Sequence, residues 1–384
     1  MKKVKLGDVC KIQSGGTPSR GNLNYWNNGN VPWVKISDIK EKYLSRTEEF
    51  ITQEGLANSS AKIFPKETIL YTIFATLGEV SILEIEATTN QAIAGLQIID
   101  ENICKDYLYY YLISLKPFVN EVGRGVAQNN INMQILRNFE IPLPSLEEQK
   151  AIARKLDKVS GLIEKRKTQL EKLSELVKSR FIEMFGDVIT NTKGWKQYVF
   201  TDVASSRLGK MLDAKQQTGN NSFPYLANFN VQWFKFDLSS INQMDFDEDE
   251  RVEFELKEGD LLVCEGGEIG RCAVWHNEMQ SCYFQKALHR VRCNTDLINP
   301  NYMAWWFKYN CEHNGFAAIE GAKATIAHLP GAKLKLLSVT TPPIELQDEF
   351  AAFVEQVDKS KFEIQQSLEK LEILKKSLMQ QYFG

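Results

Sequence analysis

Two stretches of the chain carry apolar residues at alternating spacings of three and four, the pattern of a coiled-coil seam. The first has eight apolar residues at eleven heptad positions: Gln149, Ile152, Leu156, Val159, Ile163, Arg166, Leu170, Leu173, Val177, Arg180 and Met184. The second again has eight of eleven: Gln347, Phe350, Val354, Val357, Lys361, Ile364, Leu368, Leu371, Lys375, Leu378 and Tyr382. Such a sustained 3.5-residue repeat predicts two long helices that pack along this stripe.

The two stretches belong to a larger duplication. Matching segments share one offset of 198 residues: 144–149 with 342–347, 170–173 with 368–371, and 185–186 with 383–384. A weaker match precedes each, with residues 68–78 corresponding to 260–270 at an offset of 192 and Gln91 to Gln285 at 194. The pattern predicts a tandem repeat whose helical parts have diverged less than the parts before them.

The segments that precede the helices have a different pattern. Short apolar runs such as Thr68–Phe74 and Asp260–Cys264 alternate with Gly- and Asn-rich turns, which predicts short strands. One short helix is expected in each, at 105–115 and 301–309. The predicted fold class is mixed α/β (α+β), with globular domains at 1–143 and 187–341, each followed by a helix at 144–186 and 342–384.

Charge and connection predict how the helices pair. Residues 144–186 hold ten basic and seven acidic residues, whereas 342–384 hold five and eight, so the formal charges are +3 and −3. Opposite charges favour pairing with each other over self-pairing. Because a whole domain bridges the end of one helix to the start of the next, an antiparallel arrangement keeps the connection local. We expect an antiparallel intramolecular coiled coil.

Composition narrows the protein class. The 384 residues carry a net charge of −3 and contain no apolar run of the roughly 20 residues that a membrane-spanning helix needs. The start, MKKVKLGDVC, lacks the apolar core of a secretory signal. We therefore expect a cytoplasmic protein that does not bind membranes. Seven scattered cysteines without a Cys-x-x-Cys pair indicate reduced, packed thiols.

Motifs for catalysis and cofactor binding are missing from the sequence. It contains no Walker A run, strand-linked G-x-G-x-x-G, H-E-x-x-H or G-x-S-x-G motif. The spacing of Cys264, Cys272, His276, Cys282, His289 and Cys293 is irregular and does not suit zinc. We expect no catalytic residue, no metal and no directly bound cofactor.

The loops instead carry groups that suit DNA. Amides pair with adenine, arginine pairs with guanine, and hydroxyls or cations contact phosphate. The candidates in the first domain are Ser14, Thr17, Ser19, Arg20, Lys35, Arg124, Gln128, Asn129, Asn130 and Asn132. Those in the second are Ser206, Arg207, Lys210, Arg271, Gln285, Lys286, His289, Arg290, Lys323, Thr325 and His328. The first loop, 14–20, is expected to offer free backbone amides as well. Plain turns remain the alternative for each group.

Several of these motifs together resemble the specificity subunit of a type I restriction-modification system. In the first domain they are the run Ser14-Gly15-Gly16-Thr17-Pro18-Ser19, then Tyr25-Trp26 and the segment 31–39. Segment 141–149 and Phe185-Gly186-Asp187 resemble the family's helical spacer, so the resemblance covers essentially the whole chain. The second domain departs from it, because Gly-Gly-Thr-Pro does not follow Thr201–Ser206.

The resemblance implies a non-catalytic subunit that binds double-stranded DNA. Each target recognition domain would read one half of a bipartite target, and the helices would set the spacing. Implied partners are two methyltransferase subunits, which carry S-adenosylmethionine, and restriction-translocase subunits, which use ATP and Mg²⁺. Two alternatives remain open: a coiled-coil scaffold whose domains bind protein or peptide, and an enzyme with an unfamiliar site at Glu265-Gly266-Gly267-Glu268.

Overall fold

A computed structural model describes residues 2–124, 130–213, 217–316 and 329–384, the side chains of 122–124 excepted. The chain forms two compact units. The first comprises Met1–Thr168 with Gln365–Gly384, and the second comprises Gln169–Ile364. Each unit thus contains one globular part and a portion of both long helices.

Short strands form the sheets of the first unit. They are β1 (Lys3–Lys5), β2 (Cys10–Ser14), β3 (Val31–Val34), β4 (Tyr43–Leu44), β5 (Glu49–Ile51), β6 (Ile69–Thr72), β7 (Val80–Leu83), β8 (Thr88–Thr89), β9 (Ile93–Ile98) and β10 (Glu140–Pro142). The larger sheet has the order β2-β9-β6-β7-β4 and the smaller one β5-β3-β8, while β1 pairs with β10. Strands β6, β7 and β8 are buried throughout, and most of their residues are apolar or threonine.

The helices of the first unit cover these sheets. They are α1 (Leu6–Val9), α2 (Gln53–Ala57), α3 (Lys105–Ser114), α4 (Lys116–Arg124), α5 (Met133–Arg137) and the first part of α6 (Leu146–Phe185), with 3₁₀ turns at Leu23–Tyr25 and Ile36–Asp38. In α3 the residues from Tyr107 to Leu112 are all buried. One apolar cluster joins α3 to Ile69 of β6, Leu96 of β9 and Leu156 of α6.

The second unit has its own set of strands. They are β11 (Lys196–Val199), β12 (Ala204–Leu208), β13 (Ser222–Leu226), β14 (Val231–Gln232), β15 (Lys235–Phe236), β16 (Asn242–Asp245), β17 (Leu261–Cys264), β18 (Cys272–Val274), β19 (Tyr283–Phe284), β20 (Leu288–Cys293) and β21 (Ser338–Thr341). The sheet orders are β12-β20-β17-β18 and β16-β13-β19, with the pairs β11-β21 and β14-β15. The helices are α7 (Phe200–Val203), α8 (Glu248–Phe254), α9 (Pro300–Glu312), α10 (Gly331–Leu334) and α11 (Ile344–Phe383), and a 3₁₀ turn spans Asn228–Asn230.

Strand order shows that the globular parts are duplicated although their sequences have drifted. The order β2-β9-β6-β7 corresponds to β12-β20-β17-β18, β5-β3-β8 to β16-β13-β19, and β1-β10 to β11-β21. One predicted correspondence was wrong by a residue. The amide of Asn90 donates to Val34 at 3.1 Å, and that of Gln285 donates to Leu226 at 3.1 Å. Gln285 therefore corresponds to Asn90 at an offset of 195, and not to Gln91.

The long helices run antiparallel. In the first unit the start of α6 meets the end of α11, where Lys155 Nζ donates to the Tyr382 hydroxyl at 3.3 Å. In the second unit the end of α6 meets the start of α11, where Arg180 pairs with Glu349 at 2.9 Å. These contacts confirm the predicted fold class. The helices lie within the predicted ranges 144–186 and 342–384, while the division of the chain into recognition domains stays a prediction.

Both ends of α6 have the expected capping residues. Ser145 and Glu148 form a capping box, since the Glu148 amide donates to Ser145 Oγ at 3.3 Å and the Ser145 amide donates to Glu148 Oε2 at 2.9 Å. Gly186 follows the helix at φ +71°, and its amide donates to Ile182 O at 2.8 Å. Within the described ranges, no helix is both long and apolar enough to span a bilayer.

Candidate nucleic-acid interface

The glycine turn after β2 is fixed by its backbone. The amide of Gly15 donates to Ile93 O at 3.1 Å and that of Gly16 to Thr89 O at 2.8 Å. A Cβ on Gly15 would lie 2.0 Å from Thr89 Oγ1, and one on Gly16 would lie 2.3 Å from the Ser60 carbonyl carbon. Glycine is therefore required for close packing. The expectation of free amides at these two positions was wrong, because both already donate within the fold.

The rest of this turn presents side chains. Ser14 ends β2 and is half-buried, as is Thr17, whose hydroxyl donates to Gln91. Ser19 and Arg20 are exposed, and the Ser19 carbonyl accepts a hydrogen bond from Trp26 Nε1 at 3.0 Å. The candidates Ser19 and Arg20 are thus available to a ligand.

Five residues form what we call the Arg20 cluster: Arg20, Trp26, Trp33, Lys35 and Glu49. The Arg20 guanidinium lies over the Trp26 ring, with Cζ 3.6 Å from its centroid and 4.6 Å from that of Trp33. Arg20 Nη1 contacts Glu49 Oε2 at 2.6 Å, and Lys35 Nζ contacts Glu49 Oε1 at 3.3 Å. The two predicted basic residues therefore share one carboxylate.

Hydrogen bonds between opposite charges favour the ionised forms of Glu49 and Lys35. Hydrogen bonds from Arg20 and Lys35 hold the pKa of Glu49 below its ordinary value. Hydrogen bonds to Glu48 and Glu49 raise the pKa of Lys35. Lys35 Nζ lies 2.7 Å from Glu48 Oε2. The two cations and two carboxylates together have a formal charge of zero.

The second predicted loop of the first domain is described only in part. Asn132 caps α5, since its Oδ1 accepts from the amides of Gln134 at 2.9 Å and Ile135 at 2.8 Å. Asn130 forms a β-bridge with Phe74. Gln128 and Asn129 lie outside the described residues, as does the side chain of Arg124, the last residue of α4.

In the second domain, Ser206 and Arg207 lie on β12, at the edge of its sheet. The side chain of Arg207 is 54% exposed and pairs with Glu253. Lys286 is also exposed, and its Nζ lies 3.3 Å from Met211 Sδ. Ser206 is half-buried. The candidates Lys323, Thr325 and His328 lie outside the described residues.

Lys210 occupies the position that Gly16 holds in the first domain. Its amide donates to Phe284 O at 3.1 Å, as that of Gly16 does to Thr89. Its side chain is buried, donates to Asp245 O at 2.7 Å and pairs with Glu250. Gln285 lies against it, joined to Lys210 by a β-bridge. Lys210 therefore stabilises the turn from within.

Three further candidates of the second domain are engaged inside the fold. Arg271 Nη2 donates to Asn228 Oδ1 at 2.7 Å, and its side chain is 16% exposed. His289 is buried, with Nε2 3.0 Å from Leu329 O. Arg290 is buried and donates to Glu253 O at 2.6 Å. Burial lowers the pKa of Arg290, and repulsion from Arg292 lowers it further.

A family model decides where this architecture belongs. The model described as the type I restriction modification DNA specificity domain matches residues 1–174 and again 192–375. The chain belongs to the type I restriction-modification DNA specificity family. The two matches cover the two halves of the duplication.

Individual relatives agree with this assignment. The specificity subunit of the type I restriction enzyme MjaIX of Methanocaldococcus jannaschii is 33% identical over 242 residues, 58% of this chain and 53% of that one. The EcoR124I/EcoR124II specificity subunit of Escherichia coli is 30% identical over 165 residues, 41% of this chain and 40% of that one. The chain therefore spans about half the length, or less, of these relatives.

A solved structure supports the fold. The type I restriction-modification S subunit from M. genitalium matches with a TM-score of 0.59 at 14% identity, covering 100% of this chain and 96% of that one. At this identity the match concerns architecture alone. It agrees with the two duplicated domains and long helices of the specificity family.

The sequence analysis missed the residues that bind the side chains of three predicted DNA-contacting residues. Glu49, Glu250 and Asn228 are the partners of Arg20, Lys210 and Arg271. Trp26 belonged to a recognised motif, but its position beneath Arg20 was not foreseen. No spacing rule links these partners, because each lies on a segment remote in sequence from its basic residue.

The structure also describes the segment considered as an alternative enzyme site and two of the cysteines considered for zinc. Segment Glu265–Glu268 forms the turn between β17 and β18, where Asn228 Nδ2 donates to Gly266 O at 2.8 Å and Trp233 Nε1 donates to Glu268 Oε1 at 2.5 Å. Burial raises the pKa of Cys264 to about 11 and that of Cys282 to about 12. The part of the chain that the structure describes contains no group of three or more His, Cys, Asp or Glu suited to a metal.

Proposed function

We propose that this chain is a non-catalytic subunit that reads a bipartite double-stranded DNA target for a type I restriction-modification complex. Each globular domain contacts one half of the target. The antiparallel helices set the distance between the halves and dock two methyltransferase subunits. The observation that carries this proposal is the duplication of one sheet topology beside two helices, because two similar modules suit two half-sites.

The DNA contacts are assigned to the exposed candidates. Among the candidates that the structure describes, Ser19, Arg20 and Asn132 are exposed in the first domain, and Arg207 and Lys286 in the second. Asn132 is already used to cap α5, so the contacts are assigned to the other four. Buried Lys210, His289 and Arg290 act as supports that shape the loops. We assign the roles by solvent exposure, because a side chain with only a few per cent of its surface exposed cannot reach into a groove of DNA.

Catalysis, S-adenosylmethionine and the ATP and Mg²⁺ needed for translocation are assigned to partner subunits in the cytoplasm. A net charge of −3 gives the chain little attraction of its own for DNA. Methyltransferase and restriction-translocase subunits would therefore supply much of the phosphate neutralisation. The DNA affinity of the complex should exceed that of the chain alone and should fall steeply with salt.

A gel-shift experiment tests the proposal. The full-length chain is incubated with random duplex DNA, with and without methyltransferase subunits of the family, and the retained DNA is sequenced. When the methyltransferase subunits are present, we expect the chain to bind DNA tightly and in a salt-dependent manner. The retained DNA should be enriched in a target of two short sequences separated by a spacer. A chain that binds the methyltransferase but enriches no sequence would favour a scaffold that binds protein. Methyl transfer by the chain alone would favour an enzyme.

A further inference from the structure

The Arg20 cluster holds one guanidinium from two directions. The Trp26 ring lies 3.6 Å from Arg20 Cζ and fixes its plane, while Glu49 accepts from Nη1 at 2.6 Å and fixes its rotation about that plane. Trp26 meets Trp33 edge to face at 5.0 Å between centroids. Preorganisation of this kind lowers the entropy that a flexible arginine loses when it binds.

The framework behind the cluster is itself fixed. Trp33 lies on β3, is buried, and donates from Nε1 to Gly16 O at 3.0 Å. Trp26 donates from Nε1 to Ser19 O at 3.0 Å. Glu49 begins β5 and pairs in register with Trp33. The guanidinium is thus held relative to a sheet, although Arg20 itself lies in a loop.

Charge distinguishes between the two DNA groups that an arginine can contact. Arg20 and Lys35 are balanced by Glu48 and Glu49, so the site offers no net positive charge to a phosphate. A carboxylate within hydrogen-bond distance of the guanidinium would repel a phosphate bound to the same group. The edge of a base carries neutral acceptors and meets no such repulsion. The arrangement therefore favours a base over the backbone.

Guanine is the base that fits. Its O6 and N7 accept from the fork of an arginine in the major groove, and this pairing needs the guanidinium in one fixed plane. The Arg20 side chain remains 53% exposed after its contacts with Glu49 and Trp26. Access and a fixed plane are therefore both present.

We propose that Arg20 contacts a guanine in the half-site of the first domain, and that Glu49 and Trp26 are positioning residues that hold it in place. This inference rests on the proposed function. It names one base of the target and the residues that recognise it. In the described part of the second domain, the counterparts of two cluster residues are different residue types. Asn242 corresponds to Glu49 in register, and Ala227 corresponds to Lys35. The inference therefore concerns the half-site of the first domain.

The experiment compares Glu49→Gln with Glu48→Gln in the complex of the full-length chain with methyltransferase subunits. Both variants remove one negative charge and so raise affinity for non-specific DNA alike. Only Glu49→Gln releases Arg20. Selection from a random duplex library should show about a tenfold loss of preference for guanine at one position with Glu49→Gln and none with Glu48→Gln.

Further variants separate positioning from folding. Arg20→Lys and Trp26→Leu should relax the same guanine, whereas Trp26→Phe, which keeps an aromatic face, should restore most of the preference. Unfolding midpoints measured alongside identify any variant that simply loses its fold. If the Glu49→Gln variant is folded and shows the same preference for guanine as the wild type, the inference is overturned while the proposed function stands. A wild-type complex that enriches no sequence overturns both.

Discussion

At the scale of single residues, two buried glutamines join the long helices to the domains. Gln149 accepts from the Cys104 amide at 2.9 Å and donates to Asn102 O and Pro144 O at 2.9 and 3.0 Å. Gln347 accepts from the Asn299 amide at 2.9 Å and donates to Leu297 O and Pro342 O at 3.0 and 2.7 Å. Gln149 thus links the start of α6 to the segment before α3, and Gln347 links the start of α11 to the segment before α9. These two positions are anchors, although the heptad pattern placed them in the seam.

Replacing Gln347 by Leu should therefore destabilise the protein. The change keeps the volume but leaves a buried amide and two carbonyls without partners, which costs about 1–3 kcal/mol. Urea unfolding of the full-length chain measures the loss. Gln356→Leu, at an exposed position of the same helix, is the matched control and should change stability by less than about 0.5 kcal/mol. Equal effects at both positions would refute the anchor.

Basic residues in the second domain show why the candidate interface could be predicted only in part. His289 and Arg290 looked accessible because charged side chains seldom lie in cores. They lie on β20, which is central between β12 and β17, and both are buried. Their backbone partners, Leu329 O and Glu253 O, come from remote segments. A single sequence does not reveal such pairings.

At the scale of elements, the long helices were the most predictable part of the fold. Their heptads, the capping box at Ser145 and the glycine at 186 are local features, and the constant offset of 198 residues located the second helix from the first. The sheets were harder, since strands such as β4 and β8 have two residues each and form only through pairing with β7 and β3. Sequence therefore predicted the fold class and the repeat, but not the sheet orders.

Two glycines, one within α6 and one directly after it, should respond in opposite ways to replacement by alanine. Gly161 lies within the helix, and a Cβ there would meet nothing within 4 Å, so Gly161→Ala should stabilise the protein by about 0.5–1 kcal/mol. Gly186 has φ +71°, and a Cβ would lie 2.5 Å from Thr192 Oγ1, so Gly186→Ala should destabilise it by about 1 kcal/mol or more. Thermal unfolding of both variants checks the signs. Shifts in the same direction would contradict this account of the helix end.

An ionic network joins α6 to the first domain. Lys42 pairs with Asp106 of α3 at 2.7 Å and with Asp157 of α6, which also accepts from the Tyr110 hydroxyl at 2.7 Å. Burial acts to raise the pKa of Asp106, but the hydrogen bond and charge of Lys42, the hydrogen bond from Tyr43 and the charge of Lys105 together outweigh it and hold the pKa below its ordinary value. Burial also acts to lower the pKa of Lys42, and its bonds to both aspartates raise it overall.

Because of this network, the stability of the protein should fall at acidic pH. Because the pKa of Asp106 is depressed on folding, its contribution is present above the ordinary aspartate pKa of about 3.9 and is lost as pH falls through the lower folded value. Asp106→Asn should cost about 1–2 kcal/mol at neutral pH and should flatten the loss of stability below about pH 4. Unfolding at several pH values measures both effects. The exposed Asp8→Asn serves as control, and an unchanged acid profile in Asp106→Asn would exclude the network as its cause.

At the scale of the whole molecule, the repeat is circular in its packing as well as in its sequence. The end of α6 packs into the core of the second domain, where Phe185 meets Tyr302 at 4.7 Å between centroids. The end of α11 packs into the core of the first domain, where Phe383 meets Tyr107 at 5.3 Å. Each tyrosine donates to the strand before a long helix, Tyr302 to Thr340 O at 2.7 Å and Tyr107 to Pro142 O at 2.9 Å. Each helix thus ends on the domain that follows it in the cycle.

Residues 1–186 alone should therefore form a homodimer. Without α11, the end of α6 from a second copy can occupy the place of Leu378, Met379, Tyr382 and Phe383, to which Arg180, Phe181, Met184 and Phe185 correspond. Arg180 is the mismatch, because it would lie where Leu378 packs. Arg180→Leu in the half-chain should strengthen the dimer by about tenfold, since it buries an apolar side chain in place of a charged one. Sedimentation measures the dissociation constant, and a stable monomer would refute the circular model.

The target of such a dimer follows from its symmetry. Two identical readers related by a two-fold axis suit a palindrome, whereas the intact chain, with two different domains, suits an asymmetric target. With methyltransferase subunits, residues 1–186 should direct methylation to a palindrome built from the first half-site, and sequencing of methylated DNA would reveal it. The Arg20 cluster would then be present twice, so its guanine should occur in both halves. Glu49→Gln should relax both positions together, and methylation at the original asymmetric target would contradict the model.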